Sequence, residues 1–233
     1  MAHPMDNLER MEDAWDRMSG DYAERLGLDP RDEHYRMLGE QFPVTLEPVQ
    51  VLDLGCGLGF ELDAVLPRAP KARIVCMDMS RKMLARLRER LAAFATQIDT
   101  RHESYVDAEF GCAQFDFVLS ALTVHHLPRP TKLALFRKIC RALRPGGAYL
   151  ELDDMASPDR ERVGREWYEE FVAHREGGER GEWNHNMTFT IENEKALLEE
   201  AGFSSVTVPW TQTYADGCGR AIFVAEKAVE PER

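Results

Sequence analysis

One stretch constrains the fold of this chain more than any other, Val51-Leu-Asp-Leu-Gly-Cys-Gly-Leu-Gly-Phe-Glu61. Its apolar beginning, Val51 to Leu54, indicates a buried parallel strand, and the glycines that follow indicate a tight turn. Three glycines at alternate positions let the backbone turn sharply and leave no side chain between it and a ligand. Residues 60–66 are then predicted to begin a helix whose free N–H groups point towards the same ligand. The stretch therefore predicts a strand–turn–helix unit that binds a small molecule.

Two acidic residues accompany this unit. Asp53 lies inside the predicted strand, where a carboxylate is costly unless it meets a cation or hydrogen-bond donors, and an ammonium or sulfonium ligand would supply that partner. Asp78 ends the next apolar run, residues 74–77, and lies 19 residues after Gly59. That spacing in a βαβ unit places a carboxylate where it accepts both hydroxyls of a ribose. An acid at a strand end can also be only a helix cap, but the preceding glycine turn favours ribose binding.

Charge and cysteine usage limit the class of partner. The chain has 233 residues and a formal net charge of −12, which argues against a nucleic-acid surface because such a surface needs a basic patch. Its five cysteines show neither a CxxC pair nor metal-ligand spacing, so we expect reduced thiols, no metal and a cytoplasmic location. No apolar run approaches the ~18 residues that span a bilayer, and no signal peptide is visible at Met1. We expect a monomer or homodimer that contacts neither nucleic acid nor membrane.

The remaining pattern predicts a single α/β domain with a doubly wound sheet. Helical spacing occurs in residues 1–44, near 158–175 and from Thr190 to Gly202, and a further helix is expected from a Thr131 cap to Leu143. Strands are expected at 101–106, 115–119, 148–152, 206–210 and 221–225, the last two antiparallel. We divide the chain into an N-terminal helical cap (1–44), a ligand-binding core (45–153), a helical insertion (156–190), and a last helix and strands (191–227). The N-terminal helices either cover the glycine turn or pack at the edge of the sheet.

Several motifs carry a family resemblance when taken together. They are Asp53-Leu-Gly55-Cys56-Gly57-Leu-Gly59, Asp78, Phe115-Asp116, His125-His126-Leu127 and Leu143-Arg-Pro-Gly-Gly147. This combination resembles the class I S-adenosylmethionine-dependent methyltransferases, especially the small-molecule branch, over residues 45 to 153. The third glycine comes two residues after the second, whereas in the dinucleotide fingerprint it comes three residues after the second. This spacing disfavours a nicotinamide-dependent oxidoreductase. The resemblance implies a Rossmann-like, mostly parallel seven-stranded sheet with a terminal antiparallel strand.

The same resemblance implies roles for individual residues. Asp53 and the backbone of Gly55, Cys56, Gly57 and Gly59 would hold the methionine part of S-adenosylmethionine, and Asp78 would bind the ribose. Met79 would pack on adenine, the backbone from Ser120 to Leu122 would face the amino-acid end, and Tyr22 would close over the carboxylate. The family commonly has an Asp about 12 residues before the Phe-Asp of strand four, where this chain has Ser104. Either Ser104 and Tyr105 contact the adenine, which we favour slightly, or Asp107 does so from a shortened loop.

Methyl transfer from a sulfonium is an in-line displacement, so a protein contributes mainly by orienting the two reactants. A general base is needed only if the acceptor loses a proton, and His125 and His126 are our candidates because they follow strand four. The competing interpretation is that one of them is a buried structural histidine. The rival polar groups are Glu151, Asp153, Asp154, His34 and His185; a metal site would require a convergence of Glu151, Asp153, His125 and His185 that the spacing does not indicate.

The methyl acceptor would lie between the N-terminal helices and the 156–190 insertion, both rich in aromatic residues. These are Trp15, Tyr22 and Tyr35 in the helices, and Trp167, Tyr168 and Trp183 in the insertion. An aromatic-lined pocket suits a small organic substrate, although helix-spaced aromatics are often only core residues. The predicted activity is therefore methyl transfer to an O or N atom of a small metabolite. The alternatives are a binding module that holds the cofactor without transfer, and a protein or RNA methyltransferase.

Overall fold

A seven-stranded sheet organises the chain, and the computed structural model describes residues 10–174 and 186–229 of it. The strands are β1 (Gln50–Leu54), β2 (Arg73–Asp78), β3 (Ile98–His102), β4 (Phe115–Ala121), β5 (Leu143–Met155), β6 (Ser205–Thr213) and β7 (Gly219–Glu226). Their order is β3-β2-β1-β4-β5-β7-β6, and β7 runs antiparallel to both of its neighbours, β5 and β6. The predicted fold class is therefore confirmed, including the antiparallel last strand.

The strand order reverses beside β1, which pairs in parallel with β2 on one side and β4 on the other. Its residues Val51 to Leu54 are all buried, because helices cover both faces of the sheet and neither face meets water. In doubly wound sheets the ligand crevice lies outside the carboxyl ends of the strands at such a reversal. The glycine turn after Leu54 therefore lies at the position in this fold where a ligand is expected.

Eight helices flank the sheet in the described part of the chain. They are α1 (Met11–Met18), α2 (Tyr22–Leu26), α3 (Glu33–Gln41), α4 (Leu62–Val65), α5 (Arg81–Arg90), α6 (Arg129–Ala142), α7 (Pro158–His174) and α8 (Ile191–Ala201). Helix α6 packs against α8, whereas α3 packs against α4, β5 and β7. Helix α1 is fixed to α5, because Asp16 Oδ1 lies 2.5 Å from Ser80 Oγ, and Arg86 donates hydrogen bonds to the backbone carbonyls of Ser19 and Gly20.

Two helices begin at residues whose side chains cap them. The Ser80 side chain accepts a hydrogen bond from the backbone N–H of Met83 at the start of α5, at 3.1 Å. The Thr190 side chain does the same for Asn193 at the start of α8, at 3.2 Å. Helix α8 ends at Gly202, whose φ of 107° is one that side chains rarely adopt. These contacts fix the starts of α5 and α8, and the glycine fixes the end of α8.

Several predicted boundaries are wrong. The third strand runs over Ile98–His102 rather than 101–106, because its register is set by pairing with β2 and, as a half-buried strand, it lacks a continuous apolar run. Helix α6 begins at Arg129, with a proline in its first turn, so Thr131 is not its cap. Strand β5 begins at Leu143 and includes the Pro-Gly-Gly segment that we expected to precede it. A register shift against β4 between Phe115 and Phe117 accommodates that segment.

Candidate functional site

A cavity opens at the carboxyl ends of β1 and β2, under the N-terminal helices. Its lining residues are Trp15, Tyr22, Tyr35, Gly55, Cys56, Gly57, Leu58, Phe60, Glu61, Asp78, Met83, Ala121, Leu122 and Thr123. Helices α1, α2 and α3 each contribute one aromatic residue to this wall. Of the two placements proposed for these helices, the structure therefore supports the one that covers the glycine turn. Trp15 meets Tyr22 edge-on, with ring centroids 5.9 Å apart.

The glycines of the turn differ in what surrounds them. Gly55 and Gly57 have φ values of 61° and 49°, which disfavour a side chain at either position. A Cβ on Gly55 would lie 2.2 Å from Thr123 Oγ1, whereas a Cβ on Gly57 would have no atom within 4 Å. A Cβ on Gly59 would meet leucine side chains, with Leu87 Cδ1 at 3.1 Å. Gly57 thus leaves open space for a ligand, while Gly59 permits close helix packing and does not line the cavity.

Asp78 lies at the cavity wall, at the end of β2. Its Oδ2 accepts a hydrogen bond from the Gly57 N–H at 2.9 Å, and its Oδ1 accepts one from the Ser80 N–H at 2.7 Å. Burial raises the pKa of Asp78 to about 6, although these two hydrogen bonds oppose that shift. Each carboxylate oxygen retains a free lone pair, so the group can still accept two hydroxyls. This geometry fits a ribose.

Asp53 and Glu61 lie together beside the turn. Asp53 is fully buried and Glu61 is 4% exposed, and the two carboxyl groups face each other closely enough for each to affect the pKa of the other. The Cys76 Sγ is 4.0 Å from Asp53 Oδ2. One carboxylate oxygen of Asp53 and the Sγ atoms of Cys56 and Cys76 all lie within 4.8 Å of one another. Burial is the main reason that the pKa of Asp53 is raised well above its usual value, followed by the charge of Glu61. The expectation that no metal takes part stays a prediction.

The residues predicted to contact adenine divide between two environments. Met79, Ser104 and Asp107 line a second cavity of about 780 Å³, bounded by the start of α1 and the start of α6. Tyr105 instead lies in the core, where its hydroxyl is 3.2 Å from the Thr123 carbonyl oxygen and 3.1 Å from Thr123 Oγ1. The structure therefore brings Ser104 and Asp107 to one surface and separates Tyr105 from them.

At the end of β4, Ser120 and Leu122 have side chains in different environments. Ser120 is fully buried, and its hydroxyl pairs with the Tyr149 hydroxyl at 2.7 Å, so its side chain does not line the cavity. Leu122 does line the cavity, and its φ of 53° is unusual for a residue other than glycine. Its backbone N–H donates to the Leu152 carbonyl at 2.8 Å, which holds this strained position in place.

The two candidate bases occupy different positions. The backbone N–H of His125 donates to Asp153 Oδ2 at 2.7 Å, and its Nδ1 lies 2.5 Å from Asp153 Oδ1. His126 is 7% exposed, and its ring meets that of Trp15 edge-on, with centroids 5.2 Å apart. Because Trp15 lines the cavity, His126 is the nearer of the two to the place where an acceptor would lie. The catalytic role of either histidine stays a prediction.

The rival polar groups in the described residues do not line the cavity, and Glu151 is fully buried with no hydrogen-bond partner for either carboxylate oxygen. Asp153 is fully buried against His125, and Asp154 Oδ1 accepts a hydrogen bond from Arg220 Nε at 2.9 Å. Arg220 also contacts the ring of His34, and burial lowers the pKa of His34 to about 4, so this imidazole is neutral at pH 7. His185 and Trp183 lie outside the described residues. Trp167 stacks on Phe171, with ring centroids 6.2 Å apart.

Sequence reasoning missed two features of this region. Glu61 follows the glycine turn directly, which was the available signal, but we assigned it only to the start of a helix. Lys132 and Glu194 form a fully buried ion pair in which Lys132 Nζ lies 2.9 Å from both carboxylate oxygens of Glu194. Nothing in the sequence indicates that pair, because the two residues are 62 positions apart on helices with mixed polarity.

A doubly wound sheet, a glycine turn at its strand reversal and a carboxylate at the tip of β2 define a nucleoside-binding α/β protein. Residues 51–147 match the family model described as a methyltransferase domain. A carboxy-S-adenosyl-L-methionine synthase from Haemophilus ducreyi is 28% identical over 201 residues, which is 80% of each protein. A trans-aconitate 2-methyltransferase from Afipia carboxidovorans is 33% identical over 124 residues, 51% of this chain and 43% of that protein.

Among solved structures, phosphoethanolamine N-methyltransferase 2 from Haemonchus contortus, in complex with S-adenosyl-L-methionine, superimposes with a TM-score of 0.70. The sequence identity is 17%, and the match covers 95% of this chain and 61% of that one, so it shows a shared fold. The methyltransferase-domain match, the relatives and the shared fold together support a class I S-adenosylmethionine-dependent methyltransferase. No helix in residues 10–174 and 186–229 has the length and apolar character needed to cross a bilayer.

Proposed function

We propose that this enzyme transfers a methyl group from S-adenosylmethionine to an O or N atom of a small metabolite. The observation that carries the proposal is the single cavity in which Asp78, the open face of Gly57 and the buried carboxyl of Glu61 meet. At one end of the cavity, the Asp78 carboxylate can accept hydrogen bonds from hydroxyl groups. At the other end, the acidic Glu61 favours a positively charged group, so the cavity suits a nucleoside that carries a positive charge. A neutral or anionic dinucleotide would leave the acidic end unpaired.

The residues present fit this cofactor. Asp78 would accept the ribose hydroxyls, while Asp53 and Glu61 would face the cationic methionine end across the turn formed by Gly55, Cys56 and Gly57. Met79, with Ser104 or Asp107, would border the adenine, since these three residues line the adjoining cavity. Leu122 would face the amino-acid end, and Tyr22, on the opposite wall, would close over the carboxylate.

The cofactor supplies an activated methyl group whose leaving group is a neutral thioether. The chain then needs to orient the acceptor for in-line attack and to exclude water, and positioning of this kind is worth up to about 7–11 kcal/mol in favourable cases. Trp15, Tyr22 and Tyr35 form the aromatic wall on the acceptor side. Burial raises the pKa of both tyrosines, so their hydroxyls stay protonated and act as donors rather than bases.

A proton acceptor is required only for a hydroxyl or ammonium substrate. His126 is the better placed of the two histidines, because its ring contacts that of Trp15, which lines the cavity. We therefore assign His125 a positioning role and propose His126 as the base for acceptors that must lose a proton. The insertion at 156–190 is proposed as the substrate cover; its helix α7 ends at His174.

A second activity is favoured by one relative. The Haemophilus ducreyi protein is a carboxy-S-adenosyl-L-methionine synthase, whose product is a carboxylated form of the cofactor itself. Chemistry on the bound cofactor, rather than transfer from it, is therefore the alternative to a separate acceptor. An RNA acceptor is less suited to this chain, because the net charge of −12 repels the RNA backbone; a protein acceptor is the other alternative.

Both activities can be tested in one experiment. The purified protein is incubated with a metabolite extract and S-adenosylmethionine labelled with ¹³C in the methyl group, and products are followed by mass spectrometry. We expect a labelled metabolite together with unlabelled S-adenosylhomocysteine. Label found only in a heavier form of the cofactor would assign the protein to the alternative activity. Tight cofactor binding without any product would identify a binding module and contradict catalysis.

A further inference from the structure

Two acidic side chains share one buried site beside the cavity. The carboxyl groups of Asp53 and Glu61 face each other closely enough for each to affect the pKa of the other, and Glu61 lines the cavity. Asp53 Oδ1 and Glu61 Oε1 have no hydrogen-bond partner among the described residues. Two carboxylates in contact in a buried site cannot both carry a charge unless a cation compensates them. Such a pair is expected to share one proton when no ligand is present.

Among the residues that the structure describes, the groups around this pair supply no spare positive charge. Arg90 on α5 is the cation that faces Glu61, but its guanidinium already binds the Asp63 carboxylate at 2.8 Å and the carbonyls of Leu58 and Gly59. The other titratable groups that face the pair are neutral or acidic: Cys56 from the turn, Cys76 and Asp78 from β2, Asp63 from α4, Tyr22 from α2 and Tyr35 from α3. Burial raises the pKa of both Asp53 and Glu61 in these surroundings.

We propose that Asp53 and Glu61 form one acidic clamp for the cationic amino-acid end of the cofactor, and that cofactor binding expels their shared proton. The inference rests on the proposed function, which already places Glu61 at the cofactor, and adds to it the exchange of a proton for the charge of the ligand. The O–H bond of the pair breaks, its proton passes to water or buffer, and the ammonium N–H groups of the ligand donate to both carboxylates. The positive charge of the ligand takes the place of the proton, so the buried pair stays compensated.

This exchange makes binding of a charged nucleoside different from binding of a neutral one. 5′-Methylthioadenosine has the same adenine and ribose but lacks the amino-acid end and the positive charge. It can occupy the Asp78 side of the site while the proton stays on the pair. The affinity for S-adenosylmethionine therefore rises with pH until the pair is ionised in the free protein, whereas the affinity for methylthioadenosine depends on Asp78 alone.

Isothermal titration calorimetry measures the exchange directly. The full chain is titrated with each nucleoside at pH 7.0 in phosphate and in imidazole, because the difference in binding heat between these buffers gives the number of protons released. At this pH Asp78, with a pKa of about 6, is mostly ionised. The ligand amine, with an ordinary pKa of ~7.7–8.0, is mostly protonated. We expect about one proton released with S-adenosylmethionine, and none with methylthioadenosine.

Glu61→Gln retains the shape of the side chain but cannot share a proton between two acids. We expect little proton release in this variant, an affinity for S-adenosylmethionine about tenfold weaker, and an unchanged affinity for methylthioadenosine. Glu47→Gln is the matched control, because Glu47 is exposed, and it should behave as the unmodified protein. If Glu61→Gln does not fold, the comparison of the two nucleosides in the unmodified protein carries the test.

Three results would overturn parts of this scheme, and they can be told apart. Binding of S-adenosylmethionine without proton release in the unmodified protein would refute the exchange. Full proton release in Glu61→Gln would assign the proton to another group and remove Glu61 from the clamp. An absence of binding heat with both nucleosides in both buffers would refute the cofactor assignment itself, and with it the proposed function.

Discussion

In the described part of the chain, two buried acidic clusters differ in how their charge is compensated. On one side, Lys132 pairs with Glu194 and His125 pairs with Asp153, while the neighbouring Glu151 is fully buried and faces Lys132 without a hydrogen bond. Beside the glycine turn, Asp53 and Glu61 face each other, and Arg90, the cation that faces Glu61, already binds Asp63. The first cluster thus contains two basic side chains of its own. The second cluster has no basic side chain paired with it among the described residues and borders a cavity through Glu61, so it is the one where we expect a cationic ligand.

Removing the cation of the first cluster should have the largest effect on stability. Lys132→Met leaves the carboxylate of Glu194 buried without a partner, which is expected to cost about 3–5 kcal/mol of unfolding free energy. Urea denaturation followed by circular dichroism measures this loss. Lys195→Met is the control, because Lys195 is half-exposed and only 3.9 Å from Glu199, and it should change stability by less than ~0.5 kcal/mol. Equal effects of the two substitutions would show that the buried pair is not a structural unit.

Replacing Asp78 in the cavity should become more favourable to the fold as the pH rises to neutral, in contrast to replacing Lys132, which is expected to destabilise it. Its folded pKa of about 6 lies above the usual 3.8, so its contribution to stability is fully present below about pH 4 and is lost as the pH rises through 6. Between pH 4 and pH 7 we therefore expect the stability of Asp78→Asn, relative to the unmodified protein, to rise by about 3 kcal/mol. Urea titrations at several pH values test this. A difference between the two proteins that does not change with pH would mean that burial does not raise this pKa.

The same residue should matter for the cofactor. Asp78→Ala is expected to weaken S-adenosylmethionine binding by at least ~1.5 kcal/mol, because two charge-assisted hydrogen bonds to the ribose are lost. Calorimetric titration measures the affinity, and Asp99→Ala, at an exposed position of β3, serves as the control. Near-normal affinity in Asp78→Ala would contradict the ribose assignment while leaving the fold unaffected.

Tyr22 should give the smallest change. Its hydroxyl stays protonated because burial raises its pKa, and it lines the cavity opposite the turn. Tyr22→Phe removes one neutral hydrogen bond and is expected to weaken cofactor binding by about 0.5–1.5 kcal/mol, with the unfolding midpoint unchanged. An equal loss of affinity for methylthioadenosine would place the contact on the nucleoside rather than on the carboxylate end.

Elements defined by patterns within a few residues could be predicted from the sequence, whereas elements positioned by pairing with distant strands could not. The strand and turn around Asp53 and Asp78 were predicted correctly, because a buried apolar run, alternating glycines and capping side chains act over a few residues. Strand β3 was misplaced by several residues, since its position comes from pairing with β2 rather than from its own pattern. The expectation for Asp53 was a cation or donors, and the contact with Glu61 was not foreseen, although the two residues are only eight positions apart.

By itself the sequence determined the family, the order of the elements and the two acidic strand ends, all of which depend on short-range spacing. The tertiary structure alone decided which acids were already neutralised, because compensation depends on distances between residues far apart in the chain, such as Lys132 and Glu194. It also decided that Ser120 and Tyr105 face the core while Leu122 and Glu61 face the cavity. A side chain takes its direction from the packing of the whole sheet, and no local pattern records that packing.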